Sequence, residues 1–164
     1  MRQDSIAVTR SLLVAVLAVA LAGVEACEND GPRVELPTFR AELSGANEVP
    51  PVDTEASGLA TFTVRGTIVD FEITVTNTED AVAAHIHSGS ATVNGPVVVT
   101  LFTADPPVTI QGGVLAEGQF TATDVVGMTL EALLDLLRTG GAYVNVHTTA
   151  HPGGEIRGQI EAQG

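Results

Sequence analysis

All four histidines of this chain fall in two short segments. His85 and His87 lie in Ala84-His85-Ile86-His87-Ser88-Gly89; His147 and His151 lie between Tyr143 and Glu155. Neutral imidazole is a ligand for copper, zinc and nickel. Side chains alternate faces along a β-strand, so His85 and His87 share a face and Ile86 takes the other. Their Cβ atoms then stand roughly 6–7 Å apart, close enough to converge on one ion. His147 ends a second strand-like run, and His151 follows in a turn. A fold that joins the two segments collects up to four nitrogen ligands; three make an open site and four a closed one. A ligating imidazole also needs a partner for its other nitrogen. Asn145, on the strand face of His147, and Glu155, close by in sequence, are the candidates. The competing reading keeps the rings structural, hydrogen-bonded to backbone or carboxylates.

The elements that must position these rings are β-strands. Val69, Phe71, Ile73 and Val75 alternate with Asp70, Glu72, Thr74 and Thr76, the period of a half-buried strand. Residues 59–65 read the same way, and Gly66-Thr67 joins the two runs as a tight hairpin. Further strands are expected at 39–43, 82–87, 97–102, 116–121, 142–147 and 155–161. Gly- and Pro-containing turns separate them: Pro50-Pro51, Asn94-Gly95-Pro96, Asp105-Pro106-Pro107, Gly112-Gly113 and Gly153-Gly154. One segment has helical spacing instead. Over 129–138, Leu130, Leu133, Leu134 and Leu137 line one face, Thr129 can cap the start, and Gly140-Gly141 stops the end. Short, evenly spaced strands predict an all-β Greek-key sandwich with this one helix in a connection, covering one end.

Other chemistries find little support. The chain has 7 basic and 20 acidic residues, a net charge of −13, and no lysine. Such a surface repels phosphate backbones, which argues against nucleic-acid binding, and it tolerates metal cations. The Gly153-Gly154-Glu155-Ile156-Arg157-Gly158 run lacks the lysine and the following helix of a phosphate-binding loop. Glu155 and Arg157 are expected to share a strand face and join an ion-pair network. Asn47-Glu48-Val49-Pro50-Pro51 reads as a shaped turn. No Gly-x-Ser-x-Gly serine motif occurs.

The N-terminus reads as an export signal. Arg2 and Arg10 precede an apolar run, Leu12–Val24. That run falls short of the roughly 20 residues a membrane span needs and suits a signal-peptide core. Cleavage after Ala26 makes Cys27, the chain's one cysteine, the first residue of the exported protein. Its position resembles the lipid-modified cysteine of bacterial lipoproteins, although Glu25 stands where that motif has a small uncharged residue. The expected organisation is a signal peptide over 1–26, a polar tether over 27–37 and one domain over 38–162. The expected location is periplasmic or cell-surface, anchored to the membrane through a lipid.

Three blocks resemble the CHRD (chordin-type) domain family. They are Phe39-Arg40-Ala41-Glu42-Leu43-Ser44-Gly45-Ala46-Asn47-Glu48-Val49-Pro50-Pro51-Val52; Ala84 to Gly89 with Asn94-Gly95-Pro96-Val97-Val98; and Tyr143 to Thr148 with Gly153 to Ile160. The resemblance implies an extracytoplasmic all-β domain and names no reaction. A looser likeness is to copper/zinc superoxide dismutase, a Greek-key sandwich with a His-Val-His strand pair. His85 and His87 are similar to that pair and His147 to its late ligand, with Arg157 in the place of a substrate-guiding arginine. The bridging histidine, the zinc loop and the disulfide have no counterparts here.

The resulting expectation is an exported binding domain that holds copper or, second, zinc through His85, His87, His147 and His151, without catalysis. The alternatives are a structural or protein-interaction module without metal and, third, a dismutase-like oxidoreductase. The apo domain should stay folded, and metal stabilisation should fade as pH falls through about 6.5.

Overall fold

The structure, a computed structural model, describes residues 35–164. The expected signal peptide, Cys27 and most of the tether lie outside the described residues. Among the described residues the fold is all-β with one short helix. Its strands are β1 (Thr38–Ser44), β2 (Ser57–Arg65), β3 (Ile68–Ser88), β4 (Val97–Phe120), β5 (Ala142–Thr148), β6 (Ile156–Gln159) and β7 (Glu161–Gln163). Helix α1 (Leu130–Thr139) precedes β5.

Alternation in β1 sends Phe39, Ala41 and Leu43 into the core. The hairpin of β2 and β3 runs in unbroken register from Ser57↔Thr76 to Arg65↔Ile68, with Gly66 at φ 65° in the turn. In α1 the Thr129 hydroxyl accepts the Ala132 N–H, and Gly140 ends the helix in the left-handed region. Its leucines at 130, 133, 134 and 137 are buried, and the helix packs beside β5 and β7.

The expected division into two layers of a Greek-key sandwich gives way to a different arrangement. All seven strands belong to one hydrogen-bonded sheet, ordered β2-β1-β6-β5-β3-β4, and β2 also pairs with β3. The circuit β1–β2–β3–β5–β6 therefore closes on itself as a barrel. The closure depends on the length of β3. Its first half pairs with β2 and its second half with β5, while β4 follows both halves. The runs expected as separate strands at 69–75 and 82–87 are thus one strand, and those at 97–102 and 116–121 are another.

The middle of β3 sets the direction of the histidines. In its first half the odd-numbered residues Val69, Ile73 and Val75 are buried in the core; in its second half the even-numbered Ala84 and Ile86 are. Register shifts between Thr78 and Ala83 and left-handed Asn77 (φ 53°) and Asp80 (φ 50°) separate the halves. Bulges of this kind re-aim a strand. Without the phase change His85 and His87 would continue the core-facing series. With it, they stand on the outer face of the barrel wall.

Candidate metal centre

The outer face of β3, β5 and β6 carries a polar layer. Register pairs His85 with Asn145 and Asn145 with Arg157; one step along, His87 faces Tyr143 and Tyr143 faces Gln159. The opposite face of the same strands is apolar: Ala84, Ile86, Val144, Val146 and Ile156 are fully buried.

Two loops roof the polar layer, after β1 and between β3 and β4. Arg157, 1 % exposed, fixes the second loop. It donates to Asn94 Oδ1 (2.8 Å), Ser90 O (2.8 Å) and Val93 O (3.0 Å). Its Cζ sits 3.4 Å from the centre of the Tyr143 ring. The His87 ring stacks on Tyr143 at 4.8 Å and 6°. Since β5 lies between β3 and β6, the phenol is flanked by imidazole and guanidinium. Gly95 packs so closely that a Cβ there would sit 1.5 Å from Ser88 O. The loop after β1 contributes Glu48, buried with Oε1 unpartnered. Desolvation raises its carboxyl above the ordinary range, opposed by Arg157, a hydrogen bond from the Val49 backbone and the Asn145 side chain.

Three of the four histidines converge. One nitrogen from each of His85, His87 and His147 lies within 4.8 Å of the others. His85 Nδ1 is 3.0 Å from His147 Nε2. His87 Nδ1 lies 2.9 Å from Gly95 O, and His147 Nδ1 lies 3.0 Å from Pro152 O. A carbonyl accepts only from an N–H, so these two rings carry their protons on Nδ1 and leave Nε2 unprotonated, with that of His147 facing His85 Nδ1. His87 Nε2 is buried without a hydrogen-bond partner. Zinc–nitrogen bonds of 2.0–2.1 Å in a tetrahedron place the nitrogens about 3.4 Å apart. The cluster therefore fits an ion after small ring rotations and leaves a coordination position open.

Burial pushes His85 down to about 4, helped by repulsion from His147 and His87. Burial also lowers His87 and His147. Neutral rings are what ligation requires, and this moves the expected proton competition below 6.5.

The other expected site residues are placed differently. His151 stands outside the group; its backbone shapes the turn, with its N–H on Thr148 Oγ1 and its carbonyl accepting from Gly154. Glu155 accepts from Thr54 Oγ1 at 2.6 Å, and no ion pair joins it to Arg157 among the described residues. Arg157 is buried and occupied as a clamp, not presented to a substrate. Asn145 does lie among the histidines, 3 % exposed. The second partners of His87 and His147 are backbone carbonyls, which no side-chain pattern marks. Tyr143 was detectable: it sits two residues before Asn145 on the same strand face.

No curated protein and no solved structure matches the chain. The family model described as CHRD domain matches residues 39–160. That span takes in β1 through β6, both loops over the polar layer and all three convergent histidines, and on it the chain belongs to the CHRD domain family.

Proposed function

We propose that this protein is an exported, lipid-anchored binding module that holds a transition metal through His85, His87 and His147. The observation that carries the reading is the convergence of three nitrogens within 4.8 Å, one of them the buried and unpartnered Nε2 of His87. The donor set is all imidazole, without thiolate or carboxylate. For such a set copper(II) binds ahead of zinc by the general order of divalent affinities. The bound metal would supply an exchangeable coordination position, and no catalytic step is assigned. Export and anchoring rest on the apolar run Leu12–Val24 and on Cys27 after Ala26.

The second reading, a structural module, draws on the 3.0 Å contact between His85 and His147, which lets these two rings satisfy each other without an ion. Titration calorimetry with Cu(II) and Zn(II) separates the two. His87→Ala and His147→Ala should each weaken binding at least tenfold, about 1.4 kcal/mol. His151→Ala should leave the affinity unchanged. Affinities unmoved by both His87→Ala and His147→Ala would remove the site.

A further inference from the structure

The three histidines surround a fourth side chain. On the β3–β5 grid, Asn145 is directly opposite His85, diagonal to His87, and two residues from His147 on its own strand. All four side chains stand on the same face. Asn145 is the shortest of them and is 3 % exposed, so it forms the floor beneath the imidazoles. Its Oδ1 is buried and makes no hydrogen bond; the same holds for Nε2 of its diagonal neighbour His87. With the His87 proton held on Nδ1 by Gly95 O, both atoms are acceptors. Buried acceptors left without a donor are costly, and two on one floor call for a shared electropositive partner. The convergence of His85, His87 and His147 nitrogens on the same spot points to a cation as that partner.

We propose that Oδ1 of Asn145 is a fourth protein ligand, so that the site is three imidazoles and one amide oxygen. This rests on the metal reading above and specifies its coordination. A neutral amide oxygen is a hard donor and adds no charge. It completes a four-coordinate shell from below and leaves the upper side, toward half-buried His85 and His147, for a fifth, exchangeable ligand.

The alternative arrangement turns the amide over, so that Nδ2 donates to His87 Nε2 and Oδ1 accepts from a protonated Glu48. In that case Asn145 is a structural bridge and never touches metal. The experiment uses the whole chain with Zn(II) and Cu(II) as probes, comparing wild type with Asn145→Ala and Asn145→Asp. Direct ligation predicts that the Asn145 side-chain amide resonances shift on Zn(II) addition more than any other side-chain amide. It also predicts binding at least tenfold weaker in Asn145→Ala, and at least tenfold tighter in Asn145→Asp, where a carboxylate replaces the amide oxygen. Melts in chelator check that each variant is folded. Wild type that binds metal with the Asn145 resonances unmoved and with Asn145→Asp no tighter would overturn this ligand while leaving the three-histidine site intact. Wild type that binds neither ion would overturn both.

Discussion

The strongest quantitative consequence of the histidine cluster concerns the apo protein in acid. His85 is held down to about 4 from an ordinary 6.5 by burial and by its two neighbours. Between those values the unfolded chain takes up a proton that the folded cluster refuses. Stability then rises with pH: its full value is present above 6.5 and is lost as pH falls toward 4. The displacement corresponds to about 3 kcal/mol, and screening of a half-buried ring by solvent trims that to about 1–2 kcal/mol. Glu48 works in the opposite direction, since desolvation raises its carboxyl and acidification relieves it. His85→Gln isolates the histidine contribution because Glu48 is common to both proteins. Urea unfolding in chelator, at about pH 7 and about pH 4.5, gives the two differences. Wild type should lose about 1–2 kcal/mol more than His85→Gln across that interval. A pH-independent difference between the two would refute the account of why the rings stay neutral.

Three further outcomes follow from the layer around the cluster. Gly95→Ala forces a Cβ against Ser88 O and displaces the carbonyl that orients His87; it should lower the melting temperature and Cu(II) affinity together, by differential scanning calorimetry and titration. Arg157→Lys should cost about 3 kcal/mol in urea unfolding, because an ammonium cannot reproduce the fork to Asn94, Ser90 and Val93 or the face contact with Tyr143. Cys27→Ala should move the exported protein from the detergent phase to the aqueous phase on phase partitioning; wild type found wholly in the aqueous phase would dismiss the anchor.

Much of this architecture was legible in the sequence because two periods announce it. Alternation marked β1, β2 and the first half of β3, and the four leucines between Thr129 and Gly140 marked α1 with its caps. The phase change in β3 was not legible as such. Asn77-Thr78-Glu79-Asp80 breaks the alternation, and a polar break looks the same whether it ends a strand or bends one. Closure of the sheet depends on that continuity, so the sandwich expectation followed from cutting β3 in two. At the site, period two placed His85 and His87 together and set Asn145 on the face of His147, where it lies buried opposite His85. Glu155 and His151 were chosen by proximity in sequence, and both lie outside the group of three convergent nitrogens. Carbonyls such as Gly95 O and Pro152 O carry no residue signature, and only the path of the backbone reveals them.

The barrel's seam has a kinetic consequence. β1 finds β2 across the connection 45–56, but its other edge waits for β6 and β7, where Arg40 meets Glu161 and Thr38 meets Gln163. A chain made from its N-terminus forms the β1–β2–β3 meander early, from local contacts. Until the last residues emerge, Thr38–Ser44 presents an open row of N–H and C=O groups, the kind of edge that pairs with other chains. The final short strand, Glu161–Gln163, buries little of itself, yet it helps cover that edge. A truncation that removes it would therefore show itself in aggregation during refolding more than in the melting temperature of protein already folded.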